Sequence, residues 1–198
     1  VPEAVDRLIS ALGRLPGVGR RSAERIAFAV LRDPSGAGAD LISALQNAVQ
    51  QLVPCTRCGN ITPRAQNPCS LCIDPRRDPT LLCVVEEPAD ILIMERAGAF
   101  RGRYHALMGK LSPMRGEGVR NLRVDQLIER VRKEGVKEVI LALNNDVESD
   151  ATASYLLDAL SSLQVVVTRL ARGIPAGSGL AYTDAVTLAR AMENRQPW

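Results

Sequence analysis

The sequence predicts a multi-module α/β protein: helices joined by a glycine hairpin, a knuckle built on four cysteines, a mainly parallel α/β domain, and a short C-terminal tail with a helix. Three observations predict it. Two apolar stripes at helical spacing flank Leu15-Pro16-Gly17-Val18-Gly19, four cysteines form Cys-x2-Cys-x10-Cys-x2-Cys, and short apolar runs alternate with helical stretches from Leu81 onward. A chain of 198 residues has room for such modules, and 46% hydrophobic with 24% charged residues excludes a largely disordered protein. The expected modules span 1–53, 54–79, 80–172 and 173–198.

Val5, Leu8, Ile9 and Leu12 recur on one face of a first helix, and Ala23, Ile26, Ala27 and Val30 on one face of a second. A third helix is expected from Asp40, as N-cap, through Leu41, Leu45, Ala48, Val49 and Leu52. The turn between the first two resembles a helix-hairpin-helix motif. Gly17 and Gly19 let the backbone approach a phosphate, and the free amides of the second helix point toward it. Arg20, Arg21 and Arg25 follow at once, and residues 14–32 hold five arginines against one acid, Glu24. Such a cradle contacts sugar-phosphate and carries no base information. The expectation is DNA binding that is salt-sensitive and weakly dependent on sequence. A plain αα-hairpin with a solvated basic face is the alternative.

Cys55, Cys58, Cys69 and Cys72 have the spacing of two knuckles that bring four thiolates to the corners of a tetrahedron, the closed geometry of structural zinc. Pro54, Gly59, Asn60, Pro63, Asn67, Pro68 and Pro75 let the chain double back within a span too short for an apolar core. Two disulfides or an iron tetrathiolate could use the same residues. Cys83, inside Leu81-Leu82-Cys83-Val84-Val85, is expected to be a buried strand residue.

Beyond the knuckle, strands are expected over 81–85, 104–108, 138–143 and 165–170, and helices over 89–96, 124–134 and 149–162, which makes a mainly parallel sheet with helices on both faces. Acids fall just past strand ends, where such sheets place their sites. Glu86, Glu87 and Asp90 follow the first strand, and Asp146, Glu148 and Asp150 follow the third. This placement resembles a Toprim domain, which implies a magnesium site for phosphoryl transfer, although Glu148-Ser149-Asp150 departs from that family's Asp-x-Asp. Glu86, Asp90, Glu148 and Asp150 are the candidate partner- or magnesium-binding acids. Solvated helix caps are the alternative.

Residues 101–123 carry six basic residues and one acid, Glu117, so Lys110 and Arg115 are expected as auxiliary DNA contacts on a glycine-rich loop. Of the 25 basic residues, 22 are Arg and 3 Lys, so the net +3 conceals two basic patches set against two acidic ones. Six aromatic residues are too few for a surface that stacks successive bases. His105, the only histidine, is expected to be a packed polar residue, and a nucleophilic triad is not supported. No 18-residue apolar run occurs and the first residues lack a signal-peptide layout, so a cytoplasmic, nucleoid-associated protein is expected.

The order of modules resembles the RecR family of recombination mediators over nearly the whole chain. The resemblance rests on 15–27 (Leu-Pro-Gly-Val-Gly-Arg-Arg-Ser-Ala-Glu-Arg-Ile-Ala), the Cys55 to Thr62 and Cys69 to Asp74 blocks, and Arg77-Asp78. It continues through Cys83 to Pro88, Leu111 to Met114, Val147 to Thr152, Arg172 to Gly179, and Tyr182 to Asp184. It implies a non-enzymatic repair protein that acts with RecO, and in some bacteria RecF, to load RecA onto single-stranded DNA coated by single-strand-binding protein. It also implies a homodimer or ring tetramer that encircles DNA, with the N-terminal helices and the tail in subunit contacts. The tail resembles a Walker-B segment with Asp184 in the acidic position; no Gly-x4-Gly-Lys-Ser/Thr accompanies it, so ATP hydrolysis is not expected. Ser149 and Asn145-Asp146 depart from the usual Gly and Pro-Thr of the family. A magnesium-dependent Toprim enzyme using Glu86, Glu148 and Asp150 is the competing expectation. A fragment of NAD-dependent DNA ligase is excluded because no lysine stands in Lys-x-Asp-Gly.

Overall fold

A computed structural model of the chain describes residues 1–112 and 118–195. The chain divides into two compact units, Val1–Val53 and Pro54–Trp198.

In the first unit, α1 (Glu3–Gly13) packs against α2 (Arg20–Arg32), followed by α3 (Ala37–Gln51). The α1 stripe of Val5, Leu8, Ile9 and Leu12 is half-buried, and the fully buried Ala23 and Ala27 of α2 let the helices approach closely. The third helix starts before the expected Asp40. The Asp33 carboxylate accepts from the Gly36 and Ala37 amides at 3.1 and 3.0 Å and so supplies a capping acceptor upstream of Asp40, the expected cap. Asp40 falls in the first turn, and of all α3 residues Gly38 alone is buried. Leu41, Ile42 and Leu45 are left exposed, as are Phe28 and Leu31 of α2.

The chain continues through a two-stranded ribbon, β1 (Leu52–Pro54), which runs across the unit boundary, and β2 (Ile61–Pro63), and a short helix α4 (Ser70–Ile73), none of them expected from the sequence. Then come β3 (Asp78–Val85), α5 (Pro88–Ala97), β4 (Gly102–Ala106), α6 (Val124–Glu134), β5 (Glu138–Leu141), α7 (Val147–Leu160), β6 (Val166–Arg169) and α8 (Ala185–Glu193). The four long-range strands lie in the order β4-β3-β5-β6 and are all parallel, with Cys83 opposite both Tyr104 and Ile140. Side chains of β3 alternate between two cores. Leu82 and Val84 join Val139, Leu127 and Leu156 on the face covered by α6 and α7, while Cys83 and Val85 join Ile91, Tyr104 and Ala106 on the α5 face. Helices therefore cover both faces, as the continuous apolar run of β3 requires.

Several element ends differ from expectation, among them the start of β3 at Asp78 rather than 81. β4 begins at Gly102, where an added Cβ would meet the Leu81 carbonyl, and stops at Ala106, because Met108 sits at φ 66°, in the left-handed region. β5 stops at Leu141, where the chain leaves the ladder toward Glu86. α7 begins at Val147, because Asp146 caps it by accepting from the Ser149 amide at 2.9 Å. Among the described residues no helix is long and apolar enough to cross a membrane.

Candidate nucleic-acid interface and metal centre

The hairpin between α1 and α2, the expected phosphate cradle, is an open turn at the amide end of a helix. Gly17 adopts φ +77°, which only glycine tolerates without strain, and open space surrounds the position a Cβ would take. Gly19 is the N-cap of α2, its carbonyl accepting from the Ala23 amide at 2.9 Å. The amide end of a 13-residue helix thus emerges beside an open turn. Arg20, Arg21 and Arg25 are all exposed, with Arg20 Nε 3.2 Å from Glu24 at the surface.

The four cysteines converge. Their Sγ atoms lie within 4.8 Å of one another, Cys55 to Cys72 at 3.9 Å and Cys58 to Cys69 at 3.5 Å. A disulfide needs about 2.05 Å, and all four thiols are free, which removes the disulfide alternative. Four sulfurs at about 2.3 Å from one zinc would be about 3.8 Å apart, which these spacings fit. The Asn60 amide donates to Cys58 Sγ at 3.4 Å and the Cys69 amide to Cys55 Sγ at 3.3 Å, bonds that favour thiolates. S–H contacts from Cys58 and Cys72 push the Cys69 thiol well below its usual value. When bound, zinc would supply this knuckle with the core its sequence lacks.

Sequence reasoning missed the groups around the knuckle. Arg123 reaches in from the segment before α6; its Nη2 donates to the Thr56 carbonyl at 3.0 Å, and its Nη1 is buried without a hydrogen-bond partner. Burial lowers the Arg123 pKa, opposed by the charges of Cys58 and Cys55, so the guanidinium stands where it would offset the excess negative charge that four thiolates would carry if they held one dication. The Ala106 amide donates to the Cys58 carbonyl at 2.7 Å, tying the knuckle to β4. Arg57 of the knuckle donates to Glu134 at 2.8 Å, and Arg130 and Arg103 donate to the same carboxylate at 3.1 and 3.4 Å. One sequence signal was available: Glu134 is an acid at the C-terminal end of a helix, where the dipole disfavours it, so a cationic partner is required.

His105 is fully buried. Its Nε2 lies 2.9 Å from the Arg123 carbonyl and its Nδ1 faces Arg130 at 3.3 Å, so the ring is neutral with its proton on Nε2. Burial, then the Arg130 charge, drives its pKa down to about 3.

The candidate acids are not brought together. Glu86 is buried, one oxygen accepting from the Asn144 amide at 3.0 Å and the other from the Asn144 side chain at 2.7 Å. Asp90 completes a capping box with Glu87 on α5. Glu148 accepts from Ser112 and lies 3.4 Å from Lys110, whose ammonium also donates to Asp146 at 2.6 Å and holds that carboxyl down to about 2. Lys110, expected on DNA, is therefore already ion-paired. Asp150 faces the other way, toward Arg169, Arg172 and Arg190. Among the described residues the four cysteines are the one group of three or more potential ligands that converges, so the acids do not fit a magnesium site. Arg115 lies outside the described residues.

Comparison with known proteins agrees with this architecture. Family models described as "RecR, helix-hairpin-helix", "Toprim domain" and "RecR, C-terminal" match residues 5–49, 80–171 and 173–196. The chain is 50% identical over 194 residues to "Recombination protein RecR" of Moorella thermoacetica, covering 98% of this chain and 96% of that protein. Proteins of the same name from Thermobifida fusca and Bifidobacterium longum subsp. infantis are 48% and 45% identical over 193 residues, each covering 98% of this chain and 96% of the relative.

Proposed function

The chain belongs to the RecR family of recombination proteins, and from that premise we propose that it is a zinc-stabilised DNA-binding scaffold of recombinational repair. It acts with RecO, and in some settings RecF, to load RecA onto single-stranded DNA coated by single-strand-binding protein. The observation that carries the proposal is the α1–α2 hairpin: the open turn at Gly17, the α2 amide end at Gly19, and exposed Arg20, Arg21 and Arg25. Backbone amides and guanidiniums recognise phosphates, which gives affinity without base readout. Self-association into a dimer or ring tetramer around DNA is supported by the apolar side chains that the first unit leaves exposed, Phe28, Leu31, Ile42 and Leu45.

The Toprim-like acids serve the scaffold rather than catalysis. Both oxygens of Glu86 are taken by Asn144, and Asp150 is directed to arginines instead of to Glu148. Glu148, beside Ser112 at the sheet end, is the acid proposed for partner contact.

DNA binding measured against salt tests the proposal. Arg21→Ala with Arg25→Ala should weaken binding and flatten the slope of log affinity against log salt by about 1–2, since each phosphate contact contributes roughly 0.7–0.9. Unchanged affinity and slope would refute the hairpin assignment. Magnesium-dependent cleavage of DNA, abolished by Glu148→Ala, would refute the scaffold role.

A further inference from the structure

A cleft of about 370 Å³ opens beyond the carboxyl ends of β5 and β6, walled by Leu141, Leu143 and Leu170 and by three arginines, Arg169, Arg172 and Arg190. We propose that this cleft is a receptor for a terminal phosphate dianion, carried either by the 5′ end of a DNA strand or by a free nucleotide.

The three arginines come from three places: Arg169 closes β6, Arg172 follows it in the chain, and Arg190 lies on α8. Converging three guanidiniums is costly unless anions meet them, because like charges repel strongly in a partly desolvated cleft. Among the described residues one carboxylate meets them. Asp150 accepts from Arg169 at 3.1 Å and from Arg172, and stands 3.6 Å from Arg190. Among the described residues no acid lines the cleft itself, so the three guanidiniums exceed the carboxylate that meets them by two charges. Arg172 is largely buried, its side chain 17% exposed, so water screens it little.

Chemistry then selects the ligand class. Guanidinium forks match phosphate oxygens bidentately, and a dianion balances the two surplus charges. Asn144, Asn145 and Thr187 add neutral polar groups to the rim. The leucine wall offers an apolar face to a sugar or base attached to the phosphate. The position, outside the strand carboxyl ends of an open parallel sheet, is where α/β folds place ligands, and the volume lies within the roughly 300–1,000 Å³ usual for such sites. Asp150 acts as the fixed counterion that orients the three side chains.

The test uses the full-length zinc-loaded chain and one oligonucleotide in two forms, 5′-phosphorylated and 5′-hydroxyl, with ADP as a separate ligand, each titrated calorimetrically. The phosphorylated strand should bind about tenfold more tightly than the hydroxyl strand, a factor in keeping with charge-assisted hydrogen bonds. That preference should vanish in Arg169→Gln, whose side chain is half exposed, and in Arg190→Gln, each compared with the parent by its thermal melt to show that folding is intact. If ADP binds and the same variants lose it while the two strands bind equally, the ligand is the free nucleotide. Arg21→Ala with Arg25→Ala should weaken both strands alike and keep the preference, which separates failure of this proposal from failure of the hairpin assignment. Equal binding of both strands with no binding of ADP overturns the proposal, as does a preference that survives both cleft variants.

Discussion

Replacing Glu134 by Gln isolates what holds the cysteine knuckle onto the parallel sheet. The carboxylate is 13% exposed and accepts from Arg57 at 2.8 Å, Arg130 at 3.1 Å and Arg103 at 3.4 Å. Burial opposes its ionisation, but hydrogen bonds from Arg57 and Arg130 outweigh burial and bring its pKa from 4.5 to about 2. At ~1.36 kcal/mol per pKa unit, with a discount for solvent screening, the charged form contributes about 2–3 kcal/mol to stability. The folded-state pKa lies below the unfolded one, so this contribution is present in full above about pH 4.5 and fades as pH falls toward 2. Glu134→Gln should therefore lose about 2–3 kcal/mol in urea unfolding of the zinc-loaded protein, and by the same amount at pH 7 and pH 5. A loss below about 0.5 kcal/mol, or one that shrinks between pH 7 and pH 5, would show that the three arginines do not rely on this carboxylate.

Metal analysis should find one zinc per chain, falling to none in Cys69→Ser, and a variant that keeps full stoichiometry would exclude the four-thiolate centre. Gly17→Ala and Gly59→Ala form a matched pair, since both positions have positive φ, +77° and +84°. Gly17 faces open space, so its substitution should cost only the backbone term of about 1–2 kcal/mol. Gly59 should cost clearly more, because the new methyl would sit 3.2 Å from the Ala106 Cβ and would also collide with Arg123. Equal thermal destabilisation of the two would contradict that packing. His105 should keep constant ring proton shifts from pH 8 to pH 5, because burial and Arg130 hold it neutral; a midpoint near 6.5 would show an exposed ring. Its depressed folded-state pKa also means that its contribution to stability is present above about 6.5 and is lost as pH falls below that value.

Local chemistry was legible in the chain wherever function rests on short-range geometry. The Cys-x2-Cys pairs, the Pro16-Gly17 turn and the apolar run of β3 each carry their constraint within a few residues. Element ends were less legible, because caps compete: Asp33 rather than Asp40 starts α3, and Asp146 starts α7. Least legible were the charge pairings. Glu86, Glu148 and Asp150 look like one acidic set in sequence, but Asn144, Ser112 with Lys110, and the arginines of β6 and α8 draw them apart. Those partners lie 19 to 58 residues away in the chain, a separation at which spacing carries no information.

The knuckle also governs how this protein keeps to itself. β4 is an edge strand, and an open edge invites pairing with foreign chains. Here the outward Ala106 amide is held by Cys58, and the Tyr104 carbonyl by Arg130, whose own carboxylate partner is shared with Arg57 of the knuckle. The four-cysteine knuckle is thus a guard on the sheet border as well as a candidate metal centre. Unfolding of the knuckle, by thiol oxidation or by removal of a metal held there, would unmask a sticky seam, so its first symptom should be precipitation at the strand edge, ahead of any change at the α1–α2 hairpin.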